Sequence, residues 1–308
     1  MTNPSSYYAN GKLLLTSEYF VLHGAKAIAL PLKVGQKLTI SEGFSFDSLT
    51  WQALYDGKIW FSCEVNPSDF SVIDTNDPEK AGTLSKIFQT IKTLNPTFHP
   101  KAGTKLETSM DANPEWGFGS SSTLISLLSQ WTGADSFILN ELVFKGSGFD
   151  IACANADGPI FYVRNKPAQP IVLDYPFSDQ LFLVYSGKKK KTSSEVSTFL
   201  KEKKVSDNLI QEISTLSDEF ANCPDQNKFN KLIRQHEKIV GALIGQTPVK
   251  EQFFNNFDGA IKSLGAWGGD FYLISTAQPF SGVKKYFDNR GLTTIFRWNE
   301  LILKRENQ

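Results

Sequence analysis

The sequence has no excess of charge of either sign, and it is poor in cysteine and histidine. Its 308 residues include 32 Lys and Arg and 32 Asp and Glu, so the formal net charge is zero. Without a basic surplus, the chain gives no indication of binding to nucleic acid or to an anionic membrane. The three cysteines, Cys63, Cys153 and Cys223, lie far apart and lack the spacing of metal ligands. A sparse, odd set of cysteines suits a reducing compartment, so we expect a cytoplasmic protein.

Long hydrophobic runs are missing as well. No segment reaches the roughly 18 consecutive apolar residues that a membrane-spanning helix needs. The residues Met1–Tyr8 are polar and uncharged, which is not the pattern of a secretory signal. A hydrophobic content of 41% and a charged content of 21% are typical of a globular protein. The length suits one large domain or two medium ones.

A glycine- and serine-rich segment at Pro114–Thr123 is the first feature that indicates a ligand. It reads Pro-Glu-Trp-Gly-Phe-Gly-Ser-Ser-Ser-Thr, and apolar residues at helical spacing follow it up to Trp131. Glycines allow the backbone to approach a ligand closely, and a helix N-terminus with free N–H groups favours a phosphate. A serine N-cap without a ligand is the alternative. The segment is neither a Walker A loop, which needs a lysine after the glycines, nor a dinucleotide motif, which needs a third glycine.

Turn residues and hydrophobic periodicity divide the chain into strands and helices. Short apolar runs between turns, including Tyr19–Leu22, predict strands over most of residues 11–62, and Asp56-Gly57 predicts a type I′ hairpin. Apolar residues at helical spacing predict helices, and they recur at residues 80–94, 207–221, 228–245 and 250–264. The mixture predicts an α+β architecture with helices packed on a sheet. Prolines after residue 166 mark the expected boundary between domains 1–166 and 167–308.

Two charged residues, Lys12 and Asp150, lie in sequence contexts that are compatible with a catalytic role. Lys12 follows a glycine at the start of a predicted strand, where it could neutralise a phosphoryl group in transfer or simply be solvated. Asp150 follows the turn Gly146-Ser147-Gly148-Phe149, where it could accept a proton from an acceptor hydroxyl or cap a short helix.

Each of three further features has two possible interpretations. The run Lys188–Lys191 is a solvated face or a binding surface for an anionic acceptor. The segment Gly265–Gly269 is a turn or a close approach of the backbone to a ligand. His236 lies within the apolar stripe of its predicted helix, which favours a buried core histidine over a functional one.

Three of these segments together resemble the GHMP kinases, the superfamily of galactokinase, homoserine kinase, mevalonate kinase and phosphomevalonate kinase. The segment Ala9–Tyr19, with the sequence Ala-Asn-Gly-Lys-Leu-Leu-Leu-Thr-Ser-Glu-Tyr, is similar to the first motif of that family. Pro114–Thr123 resembles its phosphate loop, and Lys262–Asp270 resembles its glycine-rich third motif. Because they occur in the family's order and spacing, the resemblance covers nearly the whole chain.

Some stretches look closest to mevalonate and phosphomevalonate kinases within that superfamily. They are Glu18–Gly24, Gly146–Asp150 and Leu232–Gly245. The segment Gly148–Ala152 is also similar to the Gly-Tyr-Asp-Ile-Ala signature of a bacterial subgroup.

The resemblance implies a two-domain α+β GHMP kinase fold. Its N-terminal domain is β-rich, with a left-handed-type βαβ phosphate-loop unit, and its C-terminal domain is a ferredoxin-like α/β sandwich. It implies an enzyme that transfers the γ-phosphoryl group of ATP to a small-molecule acceptor, with Mg²⁺ present. Mevalonate or phosphomevalonate is the best candidate for the acceptor, which is anionic if the lysine run holds it.

The resemblance also implies roles for individual residues. Asp150 is expected to be the base or the orienting carboxylate, with Lys12 as its partner. The ATP phosphates are expected to contact Gly117, Gly119, Ser120, Ser121, Ser122, Gly265, Gly268 and Gly269.

The expected contacts with Mg²⁺ and with the acceptor come from other segments. Ser121 and Glu141 are the implied Mg²⁺ contacts, although the match at Glu141 requires a gap. The implied acceptor contacts are Glu18, Thr192 and His236.

A catalytically silent protein of the same fold, with a nucleotide-binding or regulatory role, is the alternative. Trp267 stands where the family has a glycine, and an indole pointing inward would crowd the nucleotide. The retained Lys12, Ser121 and Asp150 favour the kinase. The expected partner is a small molecule rather than nucleic acid or a membrane, and monomer and homodimer are both open.

Overall fold

The structure is a computed structural model that describes residues 4–187, 205–265 and 269–305. The chain forms two compact units, and each is assembled from several segments. The first unit comprises Met1–Gly11, Val34–Pro114 and Phe118–Asn155. The second unit comprises Lys12–Lys33, Glu115–Gly117 and Ala156–Gln308. The segments of the two units interleave along the chain. The units therefore do not test the domain boundary expected near residue 166, which stays a prediction.

Strands β1 and β2 contribute residues to both units, and the other strands of the first unit follow them in the chain. The six strands are β1 Ser5–Leu14, β2 Ala27–Ser41, β3 Leu49–Tyr55, β4 Lys58–Val65, β5 Val72–Thr75 and β6 Thr104–Met110. They pair in the order β5-β4-β3-β6-β2, and β1 also pairs with β2. The predicted hairpin turn between β3 and β4 is confirmed, since Asp56 and Gly57 have φ values of 51° and 69°.

Four helices belong to the first unit. They are α1 Pro78–Leu94, α2 Ser120–Thr132, α3 Ser136–Val143 and α4 Phe149–Ala154. Helix α1 begins where Asp77 accepts a hydrogen bond from the Lys80 N–H, which is a common start signal. Its apolar face is buried with the sheet, and the Phe88 ring lies edge-on to Trp51 at 6.3 Å. The helix predicted at residues 80–94 is therefore confirmed.

The second unit contains a four-stranded antiparallel sheet and two short strands. The other strands that the structure describes are β7 Ile160–Tyr162, β8 Gln169–Pro170, β9 Leu181–Tyr185, β10 Ala260–Leu264, β11 Phe271–Ser275 and β12 Ile295–Arg297. The two short strands are β7, which pairs with β2, and β8, which pairs with β7. The four-stranded sheet has the order β10-β11-β9-β12. This order is that of a ferredoxin-like sheet, as expected from the resemblance.

The described helices of the second unit are α5 Asp207–Ala221, α6 Gln226–Ile244, α7 Val249–Phe253, α8 Phe280–Asp288 and α9 Trp298–Leu301. Helix α6 packs on β10, and α5 packs on α6. Their caps are side chains of the residue before each helix, Ser206 for α5 and Asp225 for α6. The α+β fold is confirmed in both units.

Two local predictions are wrong. The helix expected at residues 250–264 is the short helix α7 followed by strand β10, in which all five residues are buried. A strand buried on both faces has no alternating pattern, so a short apolar run there cannot be told from a buried helix. The strand expected at Tyr19–Leu22 is a turn of 3₁₀-helix at Phe20–His23, which begins after Tyr19 adopts a positive φ.

None of the helices within the described part of the chain has the length and apolar character required to cross a bilayer. The three cysteines form no disulfide with one another, and all three are buried.

Candidate functional site

A tight bend at Gly117 in the second unit brings the phosphate-loop segment onto the third glycine-rich segment. Gly117 has a φ of 73°, which favours glycine. A Cβ atom at this position would overlap the carboxylate of Asp270, so only glycine fits without movement. The Cβ position of Gly265, which has a φ of 84°, is 3.8 Å from the same Asp270 oxygen. Gly117 and Gly265 therefore face one carboxylate.

Lys12 reaches the same bend from strand β1. Its side chain is half-buried, and its Nζ atom donates a hydrogen bond to the Gly117 carbonyl at 3.2 Å. The three motifs of the sequence thus converge within the second unit through Lys12, Gly117 and Gly265. The arrangement places one ammonium group, that of Lys12, and one carboxylate, that of Asp270, at a glycine bend.

The residues before Gly117 rest on the four-stranded sheet. The Trp116 ring packs against Phe296 at 5.2 Å and Tyr185 at 6.4 Å. The Tyr185 hydroxyl donates to the Glu115 carbonyl at 3.1 Å, and burial, with Asp270 and Glu115 nearby, raises the pKa of Tyr185. These contacts fix the bend against β9 and β12.

The remainder of the phosphate-loop segment lies in the first unit, where it begins helix α2. Gly119 occupies the N-cap position with a φ of 93°, and no side chain caps the helix. The Ser122 hydroxyl donates to the Gly119 carbonyl at 2.8 Å, which tightens the first turn. Ser120 is half-buried and Ser121 is exposed. The simple serine N-cap is wrong, and the first turn retains backbone N–H groups suited to an anion.

Asp150 and Glu141 lie on two further helices of the first unit. Asp150 is in the first turn of α4, after Gly148 with a φ of 91°, and its Oδ1 accepts from the Ile151 N–H at 3.1 Å. The N-cap is Gly148, so the alternative of Asp150 as a cap is wrong. Glu141 is exposed on α3. Helix α2 packs against both α3 and α4, so the three helices form one cluster.

A small pocket in the first unit lies beside the start of α2. Its lining consists of Gly11, Val34, Gly35, Met110, Ala112, Phe118, Ser120 and Thr123. The lining is mostly apolar.

Four ionisable side chains form a buried cluster in the second unit. Glu18, His236, Glu237 and Lys262 are each at most 4% exposed. The Lys262 ammonium forms a salt bridge with Glu18 Oε1, and Glu18 Oε2 lies 3.3 Å from His236 Nε2. His236 Nε2 accepts a hydrogen bond from the Ser17 N–H at 2.8 Å. The imidazole is therefore neutral, with its proton on Nδ1.

The pKa values in this cluster follow from burial. Burial lowers the pKa of His236 well below its usual 6.5, with a smaller contribution from Lys262. Burial raises the pKa of Glu18 and raises that of Glu237 to about 8, while Lys262 opposes both shifts. The interpretation of His236 as a buried core histidine is confirmed. Contact of Glu18 and His236 with an acceptor stays a prediction.

Sequence reasoning missed Glu237, Lys262 and Asp270 as members of these clusters. A lysine within the apolar run Ala260–Leu264 was the available signal for a buried charge. Thr192, the run Lys188–Lys191, Trp267 and Gly268 lie outside the described residues. Gly269 is described and buried.

Metal ligands of the usual clustered kind are not seen in the residues described: no group of three or more His, Cys, Asp or Glu could hold an ion. The expected Mg²⁺ contacts, Ser121 and Glu141, are both exposed oxygen donors. A Mg²⁺ ion that arrives with phosphates needs only one or two protein oxygens, so this donor set fits such an ion.

Comparison with solved structures identifies the fold. No protein-family model matches the sequence, and no curated protein sequence matches it. The structure superposes on the mevalonate kinase of Methanococcus jannaschii with a TM-score of 0.73 and 18% identity, covering 99% of each chain. The protein has the GHMP kinase fold.

Two further structures with this GHMP kinase fold were solved with ligands. Phosphomevalonate kinase of Streptococcus pneumoniae, in complex with phosphomevalonate and AMPPNP, gives a TM-score of 0.70 at 16% identity, covering 95% of this chain and 99% of that chain. Galactokinase of Lactococcus lactis, in complex with galactose, gives 0.63 at 11% identity, covering 99% of this chain and 95% of that one. At these identities the GHMP kinase fold is shared, and the acceptor differs among the proteins that share it.

Proposed function

We propose that this protein is an ATP-dependent small-molecule kinase that transfers the γ-phosphoryl group of ATP to an acceptor hydroxyl. The observation that carries the proposal is the hydrogen bond from Lys12 to the Gly117 carbonyl, at a bend that also faces Gly265 through Asp270. Phosphoryl transfer has a loose transition state, so catalysis consists mainly of positioning and charge neutralisation. Glycine bends, a helix N-terminus and a lysine are suited to those two tasks.

The phosphate chain is assigned to the backbone of the glycine and serine segments. The first turn of α2, at Ser120, Ser121 and Ser122, offers N–H groups that no side chain caps. The positive end of the helix dipole adds to their attraction for a phosphate. The resemblance implies phosphate contacts from the backbone of Gly117, Gly119, Gly265 and Gly269 as well.

The charged roles are assigned to two residues. Lys12 is proposed to neutralise the phosphoryl group in transfer, since its ammonium is already directed at the Gly117 bend. Asp150 is proposed to orient the acceptor hydroxyl and to accept its proton. Ser121 and Glu141 would hold a Mg²⁺ ion, which would neutralise charge on the phosphate oxygens.

Mevalonate or phosphomevalonate is the proposed acceptor. Support comes from the stretches of sequence that look closest to kinases of these two compounds. Structures of mevalonate kinase and phosphomevalonate kinase are also among the fold neighbours. Cytoplasmic location and the two-domain boundary at residue 166 belong to the same proposal.

The test is ATP consumption by the purified full-length protein. ADP release is measured with Mg²⁺ and each of mevalonate, phosphomevalonate, homoserine and galactose, and we expect release with mevalonate or phosphomevalonate. Asp150→Asn should lower kcat by about 100-fold or more, whereas the exposed control Asp47→Asn should leave it unchanged. Nucleotide binding with no turnover on any acceptor would reject the kinase and favour the silent alternative.

A further inference from the structure

The buried cluster of the second unit includes one residue with contacts on two motif-bearing segments. Lys262 is fully buried on β10. Its ammonium forms a salt bridge with Glu18, which follows the strand that carries Lys12. It also donates a hydrogen bond to the Ser263 carbonyl at 3.0 Å. One side chain thus joins the segment after Lys12 to the strand that ends just before Gly265.

The backbone N–H and carbonyl of Ser263 are held by the side chains of Glu237 and Lys262. Among the strands that the structure describes, β10 lies at one end of the four-stranded order and pairs with β11. The Ser263 N–H donates to Glu237 Oε1 at 3.2 Å, and its carbonyl accepts from Lys262. Both groups therefore bond to buried ionisable side chains. These two hydrogen bonds lie two residues before the turn at Gly265.

The other end of the cluster holds a strained loop. Ser17 and Tyr19 flank Glu18 and have φ values of 64° and 66°, which are costly for residues with side chains. The loop is held by the hydrogen bond from the Ser17 N–H to His236 and by the bond from Ser17 Oγ to the Lys26 carbonyl at 2.7 Å. Such strain persists only where the surrounding contacts over-determine it.

Lys262 is connected to Lys12 and Gly265 only indirectly, through the segments that carry them. Lys12 and Gly265 both meet the bend at Gly117 and Asp270, and Lys262 contacts the segments on which they are carried. A buried ion pair adds little net stability compared with apolar packing. Its specific effect here is to fix two backbone segments with respect to each other.

We infer that Lys262, through Glu18 and Ser263, is a positioning residue that sets the geometry of the Lys12–Gly117–Gly265 bend for phosphoryl transfer. The inference rests on the proposed kinase function. Because Lys262 is fully buried, it acts through the strand β10 and the loop at Glu18.

The test is a charge-balanced double variant, Glu18→Gln with Lys262→Met, made in the full-length protein. Its matched control is Lys284→Met with Asp288→Asn, which removes an exposed salt bridge of 2.7 Å within α8. Melting temperature, kcat, KM for ATP and amide hydrogen exchange of residues 260–265 are measured for both variants and for the wild type.

We expect the melting temperature of the double variant and its KM for ATP to stay close to the wild-type values. Its kcat should fall by about 100-fold, because a small misplacement of a catalytic group has an effect of that size. Exchange at residues 260–265 should be faster, and the control should change none of these quantities. A folded double variant with wild-type kcat and exchange overturns the positioning role of Lys262 alone. A wild type that shows no phosphoryl transfer overturns the proposed function and this inference together.

Discussion

The carboxylate of Asp270 occupies the space in which a side chain at Gly117 would begin. The two residues are 153 positions apart (270 minus 117), and both lie in the second unit. Asp270 is itself held in place, since its carbonyl accepts from the Ser186 N–H at 2.9 Å. The bend of the phosphate-loop segment is thus shaped by Asp270, the last residue of the third glycine-rich motif. This relationship gives the first two predictions.

Gly117→Ala should destabilise the protein and weaken ATP binding. The left-handed φ of 73° costs a side chain about 1–2 kcal/mol, and overlap with Asp270 should add about 1–3 kcal/mol. Gly133→Ala is the matched control, because its φ is 71° and its Cβ would meet nothing within 4 Å. Urea unfolding compares the two variants. Equal losses of unfolding free energy would show that Asp270 does not crowd the bend.

Asp270→Ala should partly rescue Gly117→Ala. Residues in contact show non-additive effects of about 0.5–3 kcal/mol in a double-mutant cycle. The same Asp270→Ala change combined with Gly133→Ala should be additive, since Gly133 lies in the first unit with nothing near its Cβ position. Unfolding free energies of the wild type, the three single variants and the two double variants measure the coupling. A coupling of zero at Gly117 would contradict the observed packing.

Lys262→Met alone should be far more harmful than its pairing with Glu18→Gln. The single change leaves the buried Glu18 carboxylate without its counter-ion, which typically costs about 3–5 kcal/mol. The double variant removes both charges and should recover most of that loss. Chemical unfolding at neutral pH provides the measurement. If the single variant were as stable as the double variant, the salt bridge would not be the reason for the buried lysine.

The stability of the second unit should depend on pH through Glu237. Its folded-state pKa of about 8 lies above the usual 4.5, because the carboxyl is buried with Glu18 nearby, while Lys262 offsets part of the shift. Between these two pKa values the folded state holds a proton that the unfolded state has released. The free energy of unfolding therefore falls as pH rises towards 8. The expected loss is about 1.4 kcal/mol per pH unit.

The measurement for Glu237 is best made between pH 6.5 and 8. His236 has a lowered pKa in the folded state, so its opposing effect is confined to pH values below about 6.5, where the unfolded histidine gains a proton. Glu237→Gln should flatten the decline in unfolding free energy over this window. The exposed control Glu141→Gln should not. Identical pH profiles for the wild type and Glu237→Gln would exclude a buried, protonated Glu237.

Local patterns in the sequence determined a large part of the fold. The spacing of apolar residues located α1, α2, α5 and β9, because amphipathic elements repeat their burial with the period of the backbone. Asp56-Gly57 fixed its hairpin, since both residues tolerate a positive φ. The glycine-rich motifs were enough to indicate the GHMP kinase fold. Strand β10 was misread as helix because a strand buried on both faces shows no alternation.

Tertiary structure alone decided which side chains share an environment. Lys262 and Glu18 are 244 residues apart, and nothing in either local pattern indicates the other. The same holds for the hydrogen bond from Lys12 to Gly117, 105 residues away. Periodicity records how each segment faces the core, whereas ion pairs, raised pKa values and glycine bends filled by a distant carboxylate depend on how separate segments pack. For this protein the sequence determined the elements and the motifs, and the packing of the second unit determined the partners of Lys12, Gly117 and Lys262.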